Sequence, residues 1–121
     1  MKKKTWKSKI VKECKMAGTY RPFFDTVIDT LAGILERRDE ALRQYEVSGG
    51  HVITTHTNKG GNVNLELNPA LRAINDMNRD ALAYWRDLGL TPAGLKRIDE
   101  AAVREGSNQP SLASVLKDIG I

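Results

Sequence analysis

The chain has one cysteine, Cys14, so it cannot close an internal disulfide, and a reducing setting fits. Two histidines in 121 residues, with no second thiol near Cys14, leave no ligand set spaced for a zinc site. Aromatic residues make up only 6% of the chain, so a core has few large anchors. No apolar run approaches the ~20 residues that span a bilayer, and none after the N-terminal lysines has the length of a signal peptide's apolar region. Secreted disulfide scaffolds, zinc modules and membrane spans are thereby set aside, and a single small domain of 121 residues is expected.

Charge is present but unevenly placed. Residues 1–21 carry Lys2, Lys3, Lys4, Lys7, Lys9, Lys12, Lys15 and Arg21 against Glu13 alone. Their net +7, within a total of +4, leaves −3 for residues 22–121. A cationic end on a slightly acidic body points to a polyanionic partner. Lysines of this kind address phosphates and give affinity without base sequence, because bidentate reading of guanine usually employs arginine.

Hydrophobic periodicity supplies the elements. Trp6, Ile10, Val11, Cys14 and Ala17 recur at helical spacing, which predicts a helix over Thr5–Ala17 stopped by Gly18. Phe24, Val27, Ile28, Leu31, Ile34, Leu35, Leu42 and Tyr45 predict a long second helix, loosened near Gly33 and closed by the Ser48–Gly50 run. The period then changes to alternation around "NKGG", which predicts a hairpin of His51–Thr57 with Asn62–Leu67. Asn68 and Pro69 open a third helix bearing Leu71, Ile74, Met77, Ala81, Leu82, Trp85 and Leu88, and Gly89 ends it. Thr91 and Pro92 open a fourth, with Leu95, Ile98 and Ala102 inward, which the "GSNQP" run is expected to break. Ser111 is placed to cap a short last helix with Leu112, Val115, Leu116 and Ile119. The expected fold is mainly α: a long amphipathic helical pair, one β-hairpin at about 51–67 and short C-terminal helices.

Few residues suggest chemistry. His51 and His56 are five apart on the expected hairpin, so strand alternation sends them to opposite faces. No HExxH, CxxC or paired-carboxylate motif stands out, and "NKGG" lacks the remainder of a phosphate-binding loop. An enzyme is not expected, nor is a cofactor or a metal. Cys14, though flanked by lysines, reads as a small residue on the apolar side of a basic helix.

The pair of helices around "DLGLTP" has a helix-turn-helix outline, so a transcription regulator using residues 71–105 is the alternative reading. On its second helix Lys96 and Arg97 are opposed by Asp99, Glu100 and Glu105, which weakens it as a base reader.

The order of a glycine-containing hairpin (Gly60, Gly61), "NPAL" (Asn68–Leu71) and "LGLTP" (Leu88–Pro92), followed by "GLKRI", resembles the small subunit of phage terminase over roughly residues 22–105. The resemblance implies a non-catalytic component of the viral packaging motor, in the host cytoplasm. Its partners would be double-stranded viral DNA, the large terminase subunit and copies of itself in a ring. On that basis three parts are expected: a basic DNA-binding arm at 1–21, a helical oligomerisation core at 22–105 and a tail at 106–121 contacting the large subunit. DNA contact is assigned to Lys2, Lys3, Lys4, Lys7, Lys9, Lys12, Lys15 and Arg21, with Lys96 and Arg97 secondary. The oligomer interface is assigned to Phe24, Ile28, Leu31, Leu35, Leu42 and Tyr45.

Overall fold

A computed structural model describes residues 1–108, and the expected last helix from Ser111 lies outside them. Four helices and one hairpin make up the described part: α1 (Lys3–Ala17), a 3-10 turn (Pro22–Phe24), α2 (Asp25–Val47), β1 (Ile53–Thr57), β2 (Val63–Leu67), α3 (Pro69–Asp87) and α4 (Pro92–Asn108).

Helix α1 turns Trp6, Ile10 and Cys14 inward at four-residue spacing, where they are buried. It begins two residues earlier than the sequence predicts. The Glu36 carboxylate of α2 accepts the Lys3 backbone N–H at 2.7 Å and serves as a cap from another helix. At the other end Gly18 takes φ 74°, and the Gly18 and Thr19 N–H groups return to the Lys15 and Cys14 carbonyls.

Helix α2 runs without a break through Gly33, contrary to the expected loosening. Leu31, Ala32, Gly33 and Leu35 are all buried there, so packing on both sides holds the turn that glycine alone would weaken. The core joins Trp6, Ile10 and Cys14 to Ile28, Leu31, Ala32, Leu35, Ala81 and Leu88. Each fully buried aliphatic side chain of this set contributes roughly 1.5–3 kcal/mol of transfer free energy.

Residues 1–21 are therefore no detached arm, because α1 is a wall of the core. The core is also lopsided, since it uses the first half of α2 and the second half of α3. Of the remaining halves only Ile74 is buried.

The hairpin pairs Ile53 with Leu67 and Thr57 with Val63 in an antiparallel ladder. Pairing starts at Ile53 rather than His51 because Asn68 engages the preceding carbonyls. Its side-chain amide donates to the His51 carbonyl at 2.8 Å and its backbone N–H to that of Val52 at 2.8 Å. In the turn the Asn58 side chain accepts from the Gly60 and Asn62 N–H groups, and Gly61 supplies φ 80°.

Asn68 also caps α3, accepting the Ala70 N–H at 3.0 Å. Helix α3 returns along α2, with Arg38 donating to Asn78 at 3.3 Å. Thr91 caps α4 by accepting the Gly94 N–H at 3.1 Å. Helix α4 continues through Gly106 to Asn108, past the expected break at Gly106. Gly94 is where α4 crosses α3: a Cβ there would lie 2.0 Å from the Arg86 carbonyl oxygen, so no other residue permits this approach. Among the described residues no helix is long and apolar enough to cross a membrane.

Candidate nucleic-acid interface

Burial of Trp6, Ile10 and Cys14 sorts the α1 lysines into two groups. Lys3 and Lys7 lie on the seam with α2. Lys3 Nζ is 2.9 Å from Asp29, and Lys7 Nζ is 3.1 Å from Asp25 and 3.6 Å from Asp29. The hydrogen bond from Lys3 holds the Asp29 carboxyl below its usual value, and the bond to Asp25 raises the Lys7 ammonium above its own. These two cations are partly neutralised within the fold.

Lys4 and Lys12 are exposed and make no ion pair with the described residues. Eight residues apart on a helix, they are separated by about 12 Å along its axis. Together with Lys7 and Lys15 they surround an open apolar patch that includes Val11 and the exposed Met16. Lys9 and Lys15 are exposed as well, with their ammonium groups 5.1 Å from the ring centres of Trp6 and Tyr20. Such contacts hold the side chain's direction while the head stays in water. Lys2 is exposed near the carboxylate of Glu40. Arg21, beyond the end of α1, donates to the Tyr20 carbonyl at 2.7 Å and is also exposed.

The beginning of α1 is pinned by a second carboxylate. Asp39 receives the Trp6 indole N–H at 2.7 Å, Arg38 Nη2 at 3.0 Å and the Met1 amino group at 2.9 Å. Burial pulls its pKa upward, but these donors outweigh it and the carboxyl is held below its ordinary value. Arg38 also lies over the Trp6 ring, 5.6 Å from its centre.

Lys96 and Arg97 are exposed on α4, with Asp99 and Glu100 exposed one turn on. Glycines keep the α3–α4 corner tight rather than charge. Gly89 takes φ 74° between Thr19 and Ile98, which ties the corner to the end of α1.

The six apolar residues expected at an oligomer interface divide sharply. Ile28, Leu31 and Leu35 are fully buried inside the protomer, so their stripe is already used by α1 and α3. Phe24 and Tyr45 are half-buried, and Leu42 is exposed. An interface on α2 has only these last three to draw on.

Two sets escaped the sequence reading. The acids Asp25, Asp29 and Asp39, which receive N-terminal cations, and Glu36, which accepts the Lys3 backbone N–H, are distant in sequence from α1 and carry no local signal of these pairings. Arg72, Arg79 and Arg86 are exposed along α3, and their spacing of seven residues was legible. Arg79 is paired with Asp76 at 3.6 Å.

Fold and charge together define a small helical module whose solvent-facing first helix is cationic and whose hairpin projects from the helical body. Residues 3–105 match the family model described as phage terminase, small subunit, and the chain belongs to that family. Neither a curated protein nor a solved structure matches the chain.

Proposed function

We propose that this chain is the DNA-recognition component of a phage packaging motor, without catalytic activity of its own. It holds double-stranded viral DNA on the solvent face of α1, assembles as a homo-oligomeric ring in the host cytoplasm and recruits or regulates the large terminase subunit. Family membership supports the packaging role. The observation that carries the DNA contact is the exposed, unpaired state of Lys4 and Lys12 on a face where Lys9 and Lys15 are held in place by aromatic rings. Such a face delivers charge to phosphates and leaves sequence selection to shape or to the assembled ring.

Deleting residues 1–15 is a poor test, because it would also remove Trp6, Ile10 and Cys14 from the core. Neutralisation is cleaner: Lys4→Gln with Lys12→Gln retains helix propensity and touches no packed atom. Gel-shift titrations over a range of salt should show weaker duplex binding and a log–log salt slope reduced by about 1.8, or 0.9 for each lost phosphate contact. An unchanged slope would overturn the assignment. Loss of binding in Lys96→Gln with Arg97→Gln instead would move the contact to α4 and favour the regulator-like arrangement.

A further inference from the structure

We infer that the outward face of α3 is a charge-matched contact between copies of this chain, in which the arginines of one copy meet the aspartates of the next. This deepens the homo-oligomeric part of the proposed function and rests on it.

Residues seven apart on a helix nearly superpose, so Arg72, Arg79 and Arg86 form one stripe with steps of about 10 Å. Asp76, Asp80 and Asp87 form a second stripe, roughly 80° round the helix. All six residues are exposed, and Ala83 lies between the stripes. The neighbouring pair Arg79 and Asp80 thus recurs one heptad later as Arg86 and Asp87.

These charges are not matched within their own helix. A solvated helix face gains when opposite charges stand three or four positions apart. Asp80 and Asp87 have no cation at those positions, Arg86 has no anion, and Asp76 and Asp80 are like charges at that spacing. Arg79 with Asp76, at 3.6 Å, is the single ion pair on α3 among the described residues. Arg72, Asp80, Arg86 and Asp87 make none with the described residues.

The arrangement selects the occupant and its direction. A duplex would meet as many carboxylates as guanidinium groups on this face, the same opposition that weakens α4 as a DNA contact. A second copy supplies both signs. Copies related by rotation about an axis that α3 follows run parallel and keep identical residues at one height. Arg79 then stands within about 1.5 Å in height of the neighbour's Asp80, and Arg86 of its Asp87. An antiparallel neighbour would instead set stripe against like stripe. Each copy offers its arginines to one neighbour and its aspartates to the other, so the contact repeats round a closed ring. Exposed ion pairs add little affinity, but apposed like charges are strongly disfavoured, so the stripes decide which flanks meet and in which direction.

The test uses the full chain at micromolar concentration. Light scattering at about 0.15 M salt compares the wild type with an acidic variant, Arg79→Glu with Arg86→Glu, and a basic one, Asp80→Lys with Asp87→Lys. All four replacements keep helix formers on α3, and circular dichroism reports helix content. A third variant carries all four changes and so exchanges the stripes. The expected results are an oligomeric wild type, acidic and basic variants each at least about two-fold lower in mass, and recovery of mass in their equimolar mixture and in the exchanged variant. If the acidic and basic variants keep the wild-type mass, or if neither the mixture nor the exchanged variant recovers it, the seam is overturned and the oligomer stands. A monomeric wild type overturns both.

Discussion

Trp6 of α1 and Asp39 of α2 lie 33 residues apart and meet through the indole N–H, donated to the carboxylate at 2.7 Å. This bond, with the Met1 amino group on the same carboxylate at 2.9 Å, fixes how far α1 slides along α2, and Arg38 beside it orients the carboxylate. Asp39→Ala leaves the indole donor unsatisfied in a half-buried place and is expected to cost about 1–3 kcal/mol. The effect should also depend on pH. A carboxyl whose folded pKa lies below its ordinary value contributes stability above that ordinary value and loses it as pH falls through the folded pKa. Urea unfolding at a series of pH values should therefore show the wild type's advantage over Asp39→Ala intact near neutrality and shrinking in acid, below the usual carboxylate range. An advantage that grows on acidification would contradict this account.

Gly18 and Gly89 share φ 74° but not their surroundings. A Cβ on Gly18 meets nothing within 4 Å, whereas one on Gly89 meets Ile98 and Thr19 at 2.8 Å. The Ile98 methyl can rotate aside, but Thr19 is buried and short. Gly18→Ala is expected to cost about 1–2 kcal/mol for the left-handed backbone alone. Gly89→Ala should cost roughly 1–3 kcal/mol more for overpacking. Thermal unfolding of the two variants side by side isolates the close approach. Equal losses would mean that Thr19 does not hold the corner.

Asp29 restrains two of the cations that the sequence assigns to DNA. It is itself exposed enough that the pairs contribute little to stability. Asp29→Asn should therefore leave the unfolding midpoint nearly unchanged while freeing Lys3, with Lys7 still held by Asp25 at 3.1 Å. If the Lys3 side chain lies within reach of the duplex, the salt slope steepens by up to about 0.9 and binding tightens at low salt. A slope identical to the wild type would confine the contact to Lys4, Lys12 and their outer neighbours.

Elements with a period were legible before the structure was. The spacing of Trp6, Ile10 and Cys14 located α1 and its inward side, and Asn68, Gly89 and Thr91 marked helix ends where caps are found. Pairings between distant residues left no trace in the sequence. Nothing near Lys3 says that Glu36 caps its helix, and nothing in the lysine run separates Lys3 and Lys7 from Lys4 and Lys12. An apolar stripe shows that a helix packs without saying against what. Ile28, Leu31 and Leu35 were read as facing other copies and turned out to face α1 and α3. The hairpin had the opposite history: its alternation was plain, but only the exposure of Leu65 in the fold shows that its apolar side faces outward among the described residues.

At the base of that hairpin, the Tyr45 hydroxyl donates to the Gly50 carbonyl at 2.8 Å on one side, and Asn68 donates to the His51 carbonyl on the other. The first bond belongs to the last turns of α2 and the second to the residue that starts α3. The approach to β1 is thus tied to the end of α2 and to the start of α3, so the direction in which the hairpin leaves the helical body is set at its root by those two helix ends.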